Sequence, residues 1–129
     1  MTVCLDSWAV LRWLEGVDPA AMRVDAVFAD GDRPVMSWIN LGEVFYIVHR
    51  LSSASEAHEV VRDLRRWVAL DLPAERRVLE AATIKARHTV AYADAFAIAT
   101  AIAHSASLMT GNPEILDRAD PAWPTVDLR

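Results

Sequence analysis

The chain has 129 residues, 53% of them hydrophobic, with 13 Lys and Arg against 18 Asp and Glu for a formal net charge of -5. That length holds one domain, spanning residues 1–129, and that apolar content excludes a disordered chain. The acidic balance excludes a protein held to nucleic acid by bulk positive charge, but not an enzyme that meets nucleic acid locally.

Met1 to Leu5 is a short apolar run, read as a first strand over Val3-Cys4-Leu5. Apolar residues at three- to four-residue spacing (Trp8, Leu11; Val10, Trp13, Leu14) predict a helix from Ser7, ended by Gly16. Pro19 opens a second helix reaching about Ala29, Gly31 and Pro34 bracket a turn, and Val35 to Trp38 is a second strand. Asn40 is read as the N-cap of a helix to about Leu51. Ser53-Ala54-Ser55-Glu56 has capping-box spacing for a helix ending near Trp67. Ala69 to Leu72 is a third strand, Pro73 starts a helix to about His88, and a further helix covers Ala93–Ser105. Ser107 to Thr110 is a fourth strand, Thr110–Glu114 a turn, and Thr125 to Leu128 a possible fifth strand. Short apolar strands alternating with amphipathic helices predict an α/β domain: a parallel, Rossmann-like sheet of four to five strands flanked by helices.

Cys4 is the single cysteine, so no internal disulfide forms; it is read as inert core, and a reducing, cytoplasmic setting is expected. Asp6 interrupts the N-terminus before any apolar run long enough for a signal peptide. The longest uncharged stretch, Ala95 to Pro113, is rich in small and hydroxyl residues and is read as helix, strand and turn rather than a membrane span.

Charge is uneven along the chain. Residues 1–49 carry three Arg and seven acids (-4), residues 50–88 seven Arg and one Lys against six acids (+2), and residues 89–129 two Arg and five acids (-3). Arg50, Arg62, Arg65, Arg66, Arg76 and Arg77, in the basic middle, are candidates for contacting a phosphate backbone; interleaved with Glu56, Glu59, Asp63 and Glu80, they also fit a plain solvated helix face.

Ligands of parallel sheets bind beyond the strands' carboxyl ends. Asp6, Asn40, Glu43 and Asn112 all fall there. Each has an ordinary explanation. Asp6 suits an N-cap, Asn40 and Glu43 have the spacing of a capping box, and Asn112 suits a turn. Asp94 also admits a cap reading, but it is the sole Asp, Glu, Lys or Arg between Arg87 and Glu114, at the start of an apolar helix whose small residues would let another group approach closely. An unpaired carboxylate there is costly. Carboxylates gathered at one edge raise one another's pKa unless a cation sits between them. Hard oxygen donors suit Mg²⁺ or Mn²⁺, whereas His49, His58, His88 and His104 are too scattered for a zinc site.

Four segments in this order resemble the PIN domain family, and in particular the VapC toxins of VapBC toxin–antitoxin pairs: Val3–Leu11, Asn40–Val44, Tyr92–Ala97 and Leu108–Glu114. The resemblance implies a PIN-like fold, a homodimer, Mg²⁺-dependent endoribonuclease activity leaving a 5′-phosphate and a 3′-hydroxyl, and a small VapB-type antitoxin that inhibits it. It places Asp6, Glu43 and Asp94 as the core acids holding the metal, Mg²⁺ with Mn²⁺ as a substitute. Asn112 stands where many members have a fourth acid. An amide neutralises less metal charge, which leaves one metal or two open and keeps a second function in view: a catalytically weakened PIN-like binding module acting through its partner. Ser7 matches a small hydroxyl residue common in the family, and Trp8, replacing a second small residue, is expected to serve packing. A receiver or an Asp-x-Asp phosphatase of similar topology fits poorly, since Lys85 lies mid-helix and Trp8 takes the position of the second acid.

Overall fold

The computed structural model describes residues 2–118 and 120–129. Met1, the first residue of the predicted opening run, lies outside the described residues. Five strands form one wholly parallel sheet: β1 (Val3–Leu5), β2 (Val35–Ser37), β3 (Ala69–Asp71), β4 (Ser107–Thr110) and β5 (Thr125–Asp127), in the order β3-β2-β1-β4-β5. The predicted α/β class and the fifth strand are both present. Among the described residues, seven helices connect the strands: α1 (Ser7–Glu15), α2 (Ala20–Ala29), α3 (Trp38–Leu51), α4 (Ala54–Trp67), α5 (Glu75–Arg87), α6 (Tyr92–Ala103) and the single turn α7 (Pro113–Leu116).

Strand side chains alternate between faces, and this divides the core in two. Val3, Leu5, Met36 and Met109 pack with Val10, Val24, Leu41, Val44 and Leu64 of α1 to α4. Cys4 and Leu108 face the other way, onto Ala81 and Ile84 of α5 and the run Ala95–Ala99 of α6. Every residue of α6 from Asp94 to Ala101 is buried, and its alanines let the neighbouring backbones approach closely. Cys4 is fully enclosed as expected, and burial pushes its thiol far above the ordinary range, with the charges of Asp6 and Asp71 adding to the rise.

Several boundaries differ from the sequence reading. The second strand stops at Ser37, because Ser37 itself caps α3: its Oγ accepts the Ile39 amide at 3.2 Å. Asn40 is therefore not the N-cap. It lies inside the first helical turn, fully buried, and Glu43 falls one turn further along. The bulky Trp38 read as strand continuation, while the cap three residues before Asn40 decided the helix start. Ser53 caps α4 as predicted, accepting the Glu56 amide at 3.0 Å, but the Glu56 carboxylate takes the Ser52 hydroxyl instead of completing a capping box. The predicted turn after β4 contains α7, capped by Asn112, whose Oδ1 accepts the Glu114 amide at 3.0 Å. The helices predicted from Pro73 and Ala93 begin at Glu75 and Tyr92.

The strand order reverses beside β1: the chain steps outward to β3, then returns to place β4 on the other side of β1. The crevice at the carboxyl ends of β1 and β4 is the topological switch point, where open α/β sheets place their ligands.

Candidate metal centre

Asp6 follows β1 at the switch point and is 1% exposed. Both its oxygens are engaged: Oδ1 accepts the Ala9 amide at 2.9 Å, capping α1, and Oδ2 accepts the Thr110 hydroxyl from the end of β4. The cap expected of Asp6 and its place in the crevice are thus the same arrangement. Thr110 Oγ1 also accepts the Asn112 amide at 3.0 Å, and Asn112 Nδ2 donates to Asp94 Oδ2 at 3.2 Å. A continuous chain, Asp6–Thr110–Asn112–Asp94, therefore joins the ends of β1 and β4 to the first turn of α6.

A second chain holds Glu43. Its Oε1 accepts two hydrogen bonds, from Ser7 Oγ at 2.8 Å and from Asn40 Nδ2 at 3.1 Å. Asn40 Nδ2 also donates to the Ala93 carbonyl at 3.0 Å, beside Asp94. Both partners of Nδ2 are acceptors, so the amide orientation is determined. Asn40 Oδ1 is buried without a donor among the described residues. Asn40 is the residue whose part sequence reasoning missed. Its signal was present, an amide three residues before a glutamate on one helix face, but the cap reading absorbed it. Ser7 and Thr110 likewise emerge as donors that fix the carboxylates.

The four residues singled out from the sequence, Asp6, Glu43, Asp94 and Asn112, are brought together by these two chains. Burial pushes the Asp6 carboxyl up to about 7, with the charges of Asp94 and Glu43 adding to the rise and the bonds from Thr110 and Ala9 opposing it. Burial likewise pushes Asp94 up to about 6, helped by Glu43 and Glu114 and opposed by Asn112. The acids thus sense one another across three chain segments. Among the described residues, no three Asp, Glu, His or Cys side chains stand as a group that by itself could hold a metal ion. Oxygen donors and excess negative charge suit a hard cation such as Mg²⁺, which keeps several of its waters. Asp6, Glu43 and Asp94 are the residues that would hold it.

Trp8 packs as expected, and its packing reaches the site. A Cβ on Gly111 would lie 2.2 Å from Trp8 Cη2, so the indole rests directly on the Gly111 backbone beside Asn112. The basic middle divides. Arg77 is tied to Asp71 at 3.0 Å and Glu80 at 2.7 Å, which removes it from the free cations. Although burial raises it, Asp71 is held below the ordinary carboxylate value by His104 and Arg77. Arg62, Arg65, Arg66 and Arg76 are exposed. No helix among the described residues is long and apolar enough to cross a membrane.

The fold and the site define a wholly parallel α/β domain with acids gathered at its switch point. The family follows from the chain itself: the PIN domain model matches residues 3–121, and the chain belongs to that family. No curated protein matches it in sequence. Among solved structures it resembles a toxin–antitoxin complex from Klebsiella pneumoniae at 16% identity and TM-score 0.77, covering 100% of this chain and 98% of that one. It also resembles VapBC2 from Rickettsia felis bound to a DNA fragment from its promoter, at 16% identity and TM-score 0.76, covering 98% of both chains. VapBC-1 from nontypeable Haemophilus influenzae is similar at 20% identity and TM-score 0.71, covering 99% of this chain and 98% of that one.

Proposed function

We propose that this chain is a Mg²⁺-dependent endoribonuclease, the VapC-type toxin of a VapBC-type pair, acting in the cytoplasm as a homodimer and restrained by a VapB-type antitoxin. The observation that carries the reading is the gathering of Asp6, Glu43 and Asp94 from three segments into one crevice, with Asp6 and Asp94 pushed to about 7 and 6. Burial is the larger cause of these rises, and the repulsion among the acids that adds to it is relieved by a divalent cation. Membership of the PIN family and likeness to chains from toxin–antitoxin complexes support the rest.

In this mechanism the chain's residues hold and orient. Ser7 and Asn40 occupy Glu43 Oε1, while Oε2 accepts no hydrogen bond among the described residues and is the oxygen able to orient a water or take its proton. Thr110 and the Ala9 amide hold Asp6, and Asn112 holds Asp94. A bound divalent cation would polarise the scissile phosphate and acidify a coordinated water. Hydrolysis then leaves a 5′-phosphate and a 3′-hydroxyl.

The test is RNA cleavage by purified protein with Mg²⁺, compared with Asp94→Asn. The expected loss is at least about a hundredfold, in the range for removing a charged group that acts at the transition state. Undiminished metal-dependent cleavage by Asp94→Asn would overturn the site. Co-expression with the neighbouring small reading frame is expected to yield a stable complex. Asn112 favours a second function, a weakened binding module acting through its partner; absence of Mn²⁺ binding at millimolar concentration by calorimetry would support it.

A further inference from the structure

Beyond the acids, α3 carries a stripe that the nuclease chemistry does not use. At about 100° per residue, Tyr46 and Arg50 lie within about 60° of Glu43 around the helix, and about 5 and 10 Å further along its axis. Tyr46 is 44% exposed. The Arg50 guanidinium stacks over its ring at 5.0 Å from the centroid. Arg50 makes no ion pair among the described residues. An unpaired cation therefore sits beside an exposed aromatic ring, on the same helix face as Glu43.

We propose that Tyr46 and Arg50 form a subsite for an unpaired nucleotide of the RNA, one to two residues from the bond that is cut. The proposal rests on the nuclease reading and extends it from the reacting phosphate to the strand that flanks it. Charge complementarity selects the occupant. The acid crevice repels a polyanion, and Arg50 is the cation that follows Glu43 along this face. Base–aromatic stacking is tolerant of sequence, and a guanidinium supplies both a flat stacking partner and a bidentate phosphate contact. A base in a duplex has no free face, so the subsite selects unpaired RNA.

The test is fluorescence anisotropy with a short, fluorescein-labelled single-stranded RNA in EDTA, where binding is read without cleavage, and with a duplex of the same length. Tyr46→Leu is expected to weaken single-strand binding about tenfold and leave the duplex unchanged, while Tyr46→Phe, which keeps the ring, stays within about twofold of the parent. Arg50→Ala is expected to lower the slope of log Kd against log salt by about one, and Arg50→Lys to preserve that slope. Circular dichroism is the control, expected to show that these exposed substitutions leave the fold intact. Single-strand binding by Tyr46→Leu within about twofold of the parent would overturn the subsite while leaving the nuclease intact. If these variants keep their RNA affinity but lose a co-expressed protein partner, the stripe is a protein-docking face and the proposal fails. No RNA binding by the parent would overturn the subsite, while the nuclease reading stands or falls separately on the Asp94→Asn cleavage assay.

Discussion

At the scale of single residues, the site depends on neutral donors as much as on acids. Asn40 points one amide group at two acceptors, Glu43 Oε1 and the Ala93 carbonyl. Asn40→Asp preserves shape but turns that donor into a charge facing a carboxylate and a carbonyl. The expected result is a loss of about 2 kcal/mol in chemical denaturation, with cleavage reduced at least about a hundredfold. Ser7→Ala removes one of the two donors to the same oxygen and leaves the other, so it is expected to lower kcat about tenfold with little change in stability. Equal kcat in Ser7→Ala and the parent would show that the Ser7 bond does not orient Glu43 during the reaction. Of these donors, Ser7 was visible in the sequence as a hydroxyl beside Asp6. The pairing of Asn40 with Ala93, 53 positions away, was not, because only packing of α3 against α6 creates it.

At the scale of elements, the loop after β4 is held against α1 by contact between an indole and a backbone. With a Cβ at 2.2 Å from Trp8 Cη2, Gly111→Ala forces either the indole or the loop to move. It is expected to destabilise by about 2 kcal/mol, as overpacking does, and to weaken Mn²⁺ binding because Asn112 and its bond to Asp94 move with the loop. Trp8→Ala combined with Gly111→Ala removes the collision. The double variant is expected to be less destabilised than the sum of the two single ones, a coupling measurable by thermal denaturation. The helix boundaries teach a related lesson. Element type followed from periodicity along the whole chain, but the start of α3 was set by Ser37 rather than by Asn40, since a short strand of bulky residues and the first turn of a helix share the same composition.

At the scale of the whole molecule, the gathered acids make stability depend on pH and on metal. Asp6 and Asp94 have folded-state values of about 7 and about 6 against an ordinary 3.8. The folded protein therefore binds these protons more tightly than the unfolded chain. Their unfavourable contribution is absent below about pH 4 and fully developed above about pH 7. The metal-free protein is expected to gain thermal stability as pH falls from 8 to 5. Below pH 4 the trend reverses as Asp71 loses its pairing with Arg77. Asp94→Asn is expected to flatten this curve between about pH 4 and 6, leaving the part up to about pH 7 to Asp6, and to raise the metal-free Tm at pH 8 by about 3 °C, equivalent to about 1 kcal/mol. A Tm unchanged by Asp94→Asn at pH 8 would show that the carboxylate is not under repulsion. Metal acts in the opposite sense: saturating Mn²⁺ is expected to stabilise at pH 8 and to lose affinity as pH falls through 7 to 6, since the cation competes with those protons.

The sequence by itself determined the α/β class, the order of the strands and helices along the chain, and the four residues at the crevice. These depend on local quantities: apolar period, turn residues, and an isolated charge in an apolar helix. Tertiary structure alone decided that β4 returns to the far side of β1, which brings Asp6 against Thr110, 104 positions apart, and that Asn40, Ser7 and Thr110 hold the carboxylates. It also decided the rise of Asp6 and Asp94, because burial and mutual repulsion depend on distances that no local pattern encodes.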